Sequence, residues 1–185
     1  MLKKRELHEV PMLYELMAHP DVFPYVRHKA YSCDEFYFIT KQTIEAEEDG
    51  TLISRTILDE CQQPIGTINL FDIQHKSGFL ATWIGAPFFG KGYNQIAKEM
   101  FLTELFTELD IEMVFIKIRR TNVRSLKAMI KLPYATLVNN LYADVYEAIN
   151  RIENVYDLFA ISKDAYLAYL NFRELLPEHE GEEVS

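Results

Sequence analysis

A short apolar run, Phe79 to Ile84, stops at Gly85, and helical periodicity begins at Tyr93 and continues to about Leu109. Between them lies Ala86-Pro87-Phe88-Phe89-Gly90-Lys91-Gly92. Strand, glycine-rich turn and helix therefore follow one another without a linker. Glycine permits positive φ and close backbone approach, so such a turn can aim successive N–H groups at an anion over a helix N-terminus. A phosphate-binding nest is the leading reading, with a sharp corner as the alternative. The turn is not a Walker loop, because its lysine sits between the glycines and no Lys-Ser/Thr pair opens the helix. Nor is it a dinucleotide fingerprint, since a third glycine and a first strand-helix unit are both missing.

With 185 residues, 49% of them apolar, the chain is long enough for one proper core and short for two. A single domain is expected over residues 1–176, with an acidic tail from Pro177 to Ser185. Asp and Glu outnumber Lys and Arg by 28 to 19, a formal net charge of −9. That field argues against general nucleic-acid binding and favours a cationic partner. Cys33 and Cys61 have no Cys or His pattern near them, which points to reduced thiols and to no metal site. The first residues lack a signal-peptide core, and no apolar run approaches the roughly 18 residues of a membrane span. A cytoplasmic protein without membrane attachment is the expectation, and a homodimer is left open.

Along the chain, a helix is predicted from Glu9 to Ala18, with Val10, Leu13, Leu16 and Met17 on one side. A second should start at Ser32, where Glu35 completes a capping box, and fade before Asp49, with Glu45, Glu47 and Glu48 towards solvent. Leu52–Leu58, Ile65–Phe71 and Phe79–Ile84 read as an antiparallel meander. The helix after Gly92 should bury Ile96, Ala97, Met100, Phe101, Leu105 and Leu109. Glu112–Ile118 reads as a central strand. A fourth helix, capped by Thr121 or Asn122, should bury Leu126, Met129 and Ile130 and break at Lys131-Leu132-Pro133-Tyr134. Strands over Thr136–Glu147 and Val155–Ile161 precede a last helix, Lys163–Leu175. The sum is an α/β (α+β) fold, a mostly antiparallel mixed sheet flanked by helices.

This order and these motifs resemble the GNAT superfamily of acetyl-CoA-dependent N-acyltransferases, nearest its ribosomal-protein N-terminal acetyltransferase branch. Gly90-Lys91-Gly92-Tyr93 resembles the glycine portion of the acetyl-CoA motif, and Trp83-Ile84-Gly85 the end of its preceding strand. Arg120-Thr121-Asn122-Val123-Arg124-Ser125 resembles the branch's Asn-x-x-Ser signature, and Lys131-Leu132-Pro133-Tyr134 stands where a Lys-x-Gly-Phe ending is usual. The sequence departs from the pattern at Pro87, where many members begin the pyrophosphate motif with Arg or Gln, and at Pro133, which replaces a glycine. Met129 falls where part of the superfamily carries a general-acid tyrosine.

The resemblance implies acetyl-CoA as cosubstrate. Backbone donors from about Phe88 through Phe89, Gly90 and Lys91 to Gly92 would receive its pyrophosphate, with Ile84 and Tyr93 flanking them. Asn122 and Ser125 would hold the pantetheine arm or the local loop, and a basic island of Arg119, Arg120, Arg124 and Lys127 could meet the adenosine phosphates. It further implies direct attack of a neutral primary amine, with a backbone donor near Ile84 for the developing oxyanion. The acceptor would be an amine-bearing peptide or small molecule. For proton transfer the candidates are Ser125, Tyr134 and His75, the last because histidine titrates near neutral pH; helix cap, core aromatic and exposed turn are their respective structural alternatives. A catalytically silent acetyl-CoA-binding regulatory or interaction protein is the competing reading of the whole chain.

Overall fold

A computed structural model of the chain describes residues 1–175; the tail expected from Pro177 to Ser185 lies outside the described residues. Two compact units divide the chain, Met1–Ile116 and a second that begins at Lys117.

The first unit holds β1 (Leu2–Lys4), α1 (Val10–Met17), α2 (Cys33–Glu48), β2 (Ile53–Leu58), β3 (Pro64–Gln74), β4 (Ser77–Ile84), α3 (Tyr93–Thr107) and the start of β5 (Met113–Arg119). Its strands lie in the order β1-β2-β3-β4-β5. The first three pairings are antiparallel and β4–β5 is parallel. In α1, Pro11 occupies the first turn, where a missing N–H costs nothing, and Val10, Leu13 and Met17 are buried. Ser32 caps α2 as expected, its hydroxyl accepting from the Glu35 amide at 3.1 Å. The Glu35 carboxylate reaches back to the Tyr31 amide (2.7 Å), one residue earlier than in a standard capping box.

Glu47 does not face solvent as expected. Its carboxylate accepts from the Ser54 amide (3.2 Å) and from Arg55 Nη1 (2.6 Å). The reason is the shortness of β1, which pairs β2 only over Arg55–Ile57. Just past that ladder, the Ser54 N–H needs another acceptor.

Register assigns the two faces of this sheet. Arg55 bonds Glu104 of α3 (2.9 Å), so the Arg55 row looks towards α3. Cross-strand pairing adds Ile68 and Leu70 of β3, and Leu80, Thr82 and Ile84 of β4, to that face. Thr56 donates to Glu9 beside α1 (2.6 Å), so the opposite face carries Ser54, Thr56, Thr67, Asn69, Ala81 and Trp83. On the α3 side the helix buries Ala97, Phe101, Leu102, Leu105 and Phe106. The expected stripe is thus displaced: Ile96 (55%), Met100 (40%) and Leu109 (37%) are exposed. Leu102 and Phe106 take their place because the stripe centres on the Phe101–Leu105 side of the helix.

Between β3 and β4 the chain turns at His75-Lys76, both at positive φ (49° and 60°). This matches the mirror-image turns that suit the twist of hairpins.

The second unit contains α4 (Val123–Ile130), β6 (Thr136–Leu137), α5 (Ala143–Ile149), β7 (Tyr156–Ser162) and α6 (Lys163–Leu175). β6 and β7 are antiparallel, Thr136 opposite Ala160 and Leu137 opposite Phe159. The strand expected over Thr136–Glu147 is a correction: it ends at Leu137, and Glu147 lies in α5. In place of a longer ladder, Asn139 Oδ1 accepts from the Leu158 amide (2.8 Å). Among the expected α4 core residues Met129 is buried, whereas Ile130 is 72% exposed.

Arg120 organises the segment between β6 and β7. Its guanidinium donates to Asp157 Oδ1 (3.1 Å), the Asn154 carbonyl (2.9 Å), Tyr146 Oη (2.7 Å) and the Tyr156 carbonyl (3.1 Å). Five fixed donors on one planar group can satisfy an irregular stretch that has no ladder of its own.

Candidate active site

At the start of α3, Gly90 and Gly92 both adopt left-handed backbone (φ 75° and 85°). An added Cβ at either would meet nothing within 4 Å. The backbone donors divide sharply here. Phe88 N–H is spent on the Gly85 carbonyl and Phe89 N–H on the Ala86 carbonyl (3.0 and 3.2 Å). The N–H groups of Gly90, Lys91, Gly92, Tyr93 and Asn94 take no acceptor among the described residues. The free donors therefore begin two residues later than expected, at Gly90, and continue into the first turn of α3. Five successive donors at the positive end of a helix dipole fit a diphosphate.

Side chains brace this turn. Phe88 meets Tyr93 edge-on with ring centres 6.0 Å apart, and Lys91 Nζ lies 5.4 Å from the Phe88 ring. The Tyr93 hydroxyl donates to the Glu60 carboxylate on the β2–β3 turn. That hydrogen bond pushes the phenol up to about 12 and draws the Glu60 carboxyl down. Tyr93 is thus tethered as a neutral anchor.

β4 leads into the turn with one edge released. Its ladder with β5 comprises three pairs, Ser77↔Met113, Gly78↔Val114 and Phe79↔Phe115. Leu80 to Ile84 continue beyond the last pair, so this edge offers backbone groups to an extended ligand with amides of its own. Ile84 itself is 6% exposed and sits at the end of that edge.

Beside the same stretch a cleft opens on the α1/α2 side, about 470 Å³ counting the part open to solvent, with Ala81, Thr82 and Trp83 in its wall. Arg5, Arg27, His28, Thr43, Thr67 and Asn69 also line it. Arg27 is spoken for: it pairs with Asp72 at 2.5 Å and stacks on Phe71, 4.3 Å from the ring centre. His28 stands at the rim, edge-on to Phe71 at 5.1 Å. Desolvation, seconded by the Arg27 charge and opposed by Asp72, lowers its pKa below the usual histidine value. The imidazole is therefore neutral at pH 7 and able to accept a proton.

A model of the acetyltransferase (GNAT) domain matches residues 1–134. The chain belongs to the GNAT acetyltransferases. An uncharacterized N-acetyltransferase, p20 of Bacillus licheniformis, is 24% identical over 172 residues, covering 89% of this chain and 93% of that relative. Among solved structures, the apo form of FdhC, a nucleotide-linked sugar GNAT, superposes with a TM-score of 0.74 at 15% identity, covering 95% of this chain and 94% of that one. Spermidine N-acetyltransferase of Vibrio cholerae, solved with CoA and spermine, gives 0.68 at 17%, covering 90% and 97%. The solved GNAT relatives do not single out the ribosomal-protein branch.

Within this GNAT chain the residues singled out from sequence fall into three places. Ile84 and Phe88 to Tyr93 come together at the α3 entrance. His75 does not join them: it is exposed on the hairpin turn before Ser77, at the other end of β4 from Ile84, roughly 25 Å away by the rise of an eight-residue strand. In the second unit, Asn122 caps α4, its side chain accepting from the Ser125 amide at 3.2 Å. Both signature residues therefore share one helix start. Tyr134 is 3% exposed, packed at 5.0 Å against Tyr166 and 4.9 Å against Tyr169. Of the basic island, Arg120 is committed to its loop, and Arg119 lies over the Tyr156 ring (5.1 Å) and 3.8 Å from Glu153.

Three cleft residues were missed from the sequence: Arg5, His28 and Asn69. Asn69 had a signal, since Thr67 and Asn69 alternate with Ile68 and Leu70 and so announce one polar face. Arg5 and His28 had none, because nothing local sets a charged residue near a chain start, or a histidine in a loop, apart from its neighbours.

Proposed function

We propose that the protein transfers an acetyl group from acetyl-CoA to a primary amine by direct attack, residues 1–176 acting as one acyltransferase domain. The observation that carries this reading is the run of five N–H groups from Gly90 to Asn94 that take no acceptor among the described residues, continuous with the released edge of β4. Those donors would hold the pyrophosphate, and the backbone from Leu80 to Ile84 would pair with the amide-bearing arm. Bound there, acetyl-CoA supplies a thioester whose C–S bond breaks as the new N–C bond forms, the amine's proton ending on the thiolate.

The cleft walled by Ala81 and Trp83 would receive the acceptor. An ammonium has no lone pair, so the incoming amine must first lose a proton. His28 is the group in this cleft equipped to take it, being uncharged at neutral pH and open at the rim. Of the other candidates for proton transfer, Tyr134 is packed as a core ring and the Ser125 amide serves the helix cap. The acceptor classes open to a GNAT cleft are peptide or protein N-termini, including the ribosomal-protein type, and small amines, the class to which the spermidine of the Vibrio relative belongs. A cytoplasmic location is in keeping with the unbonded Cys33 and Cys61.

Calorimetric titration of the full chain with acetyl-CoA tests the cradle, and amine-dependent CoA release tests the transfer. Saturable binding together with release that vanishes when the amine is withheld is expected. Binding without release from any amine would instead support the silent regulator, and no binding would reject both.

A further inference from the structure

Arg5 is 9% exposed, yet no carboxylate lies within ion-pair distance of it among the described residues. One of its terminal nitrogens, Nη2, reaches Thr40 Oγ1 on α2 at 3.3 Å. Its Nε is buried without a hydrogen-bond partner among the described residues. A guanidinium stripped of water normally demands a carboxylate, and leaving a donor of a charged group unmet costs more than leaving a neutral one. Burial alone pushes this arginine down to about 10, against a smaller opposing pull from Glu9. Glu9 is the acid whose charge acts on Arg5, but it forms no ion pair with it: Thr56 Oγ1 and the Glu6 amide donate to its Oε2 at 2.6 and 3.2 Å, and its Oε1, otherwise without a hydrogen bond, has Lys3 Nζ 3.0 Å away.

Arg5 also lines the cleft beside Ala81 and Trp83, and no Asp or Glu is among the lining residues. The other polar side chains there, His28, Asn69 and three threonines among them, are uncharged in their ordinary or described state, and Arg27 is already neutralised by Asp72. A polycation entering this cleft would find a positive wall and nothing to pair with. That outcome runs against the chain's average charge of −9, because no acidic residue lines the cleft and the average field is not the local one.

We infer that the acceptor cleft binds a small amine carrying a carboxylate, of the amino-acid type, with Arg5 as the carboxylate receptor. This rests on the proposed acceptor role of the cleft. A carboxylate is favoured over a phosphate by charge count, one uncompensated guanidinium against one negative charge. The unmet Nε–H lies on the Nη2 side of the guanidinium, and Nη2 has a second hydrogen beyond the one it gives Thr40, so the two form the planar fork that suits two carboxylate oxygens. Arg5 acts here as a specificity residue and takes no part in proton transfer.

The test is equilibrium binding of L-amino acids, their carboxamides and spermidine to the full chain, measured calorimetrically without acetyl-CoA. Acids should bind about ten- to a hundredfold tighter than the matching amides, the size of a charge-assisted pair. Arg5→Met should erase that difference, and Arg5→Lys should restore part of it. Spermidine should not compete. Equal binding of acids and amides by the wild-type chain, binding of neither, or preferred binding of spermidine would overturn the assignment, whether or not the Arg5→Met chain folds. Since the titration needs no acetyl-CoA, its failure is separate from failure of the transfer reading, which shows as absent acetyl-CoA binding.

Discussion

The two faces of the first unit's sheet are built on opposite principles. Towards α3, Ile68, Leu70, Leu80 and Ile84 meet Ala97, Phe101, Leu102, Leu105 and Phe106, all at most 6% exposed. Towards α1 and α2, the same strands present Ser54, Thr56, Thr67 and Asn69, which hydrogen-bond to one another and to Glu9. Apolar burial stabilises a fold at about 25 cal/mol per Å², whereas a satisfied buried polar pair contributes little net. The first face therefore fixes the helix whose N-terminus carries the proposed cradle. The second keeps polar groups close to the cleft at small benefit to stability, which is the pattern expected of a surface that selects a ligand.

The comparison breaks if changes on the apolar face leave stability alone. Phe101 is fully buried, so Phe101→Ala should cost about 3–5 kcal/mol in denaturant unfolding. At the end of the same helix, Gly90→Val forces a β-branched residue into left-handed backbone beside the free donors. Strain of about 1–3 kcal/mol should weaken acetyl-CoA binding about tenfold or more while unfolding remains cooperative; unaltered affinity would move the cradle elsewhere.

On the polar side the effect should appear in rate. Because the His28 pKa is lowered, turnover should hold as pH falls through the ordinary histidine range and drop only below it. The acid limb should vanish in His28→Gln; an unchanged profile would remove the imidazole from proton transfer. The same depressed pKa makes its stability contribution rise with pH up to about 6.5, where the unfolded side chain also becomes neutral.

The smallest effect is expected at Lys98, the exception on the apolar face. By helical spacing it falls among the buried residues, one position after Ala97 and three before Phe101, and desolvation alone lowers its pKa. A lysine with a depressed native pKa is destabilising while both states are protonated. Wild-type stability should therefore rise as pH climbs from the lowered value towards 10.5. Lys98→Met should be neutral or stabilising by about 1 kcal/mol at pH 7 and should lose that slope. A clear loss of stability would mean that Lys98 has a structural role this packing does not reveal.

Legibility in the sequence followed the range of the interactions. Ser32 and its cap, the Asn122 cap, the meander and α6 all rest on neighbours a few residues apart, and each could be read directly. The α3 stripe was displaced because Ile96 and Met100 satisfy helical spacing as well as Leu102 and Phe106 do; tertiary packing chose between them. α5 carried no signal, having no side-chain cap and no buried residue, so the apolar residues around it imitated a strand. At the site, the glycine turn was visible because positive φ is written in residue type. The division of donors at Gly90 was not, since it depends on which carbonyls fold back. Arg5 is joined to Thr40 across 35 positions, and no local pattern encodes such a partner.

Trp83 is the chain's single tryptophan and stands in the cleft wall, on the strand that leads to the cradle. Under the proposed function its fluorescence would be a label-free reporter of both reactants. Quenching or a colour shift on adding either reactant would give an optical titration without altering one atom of the protein.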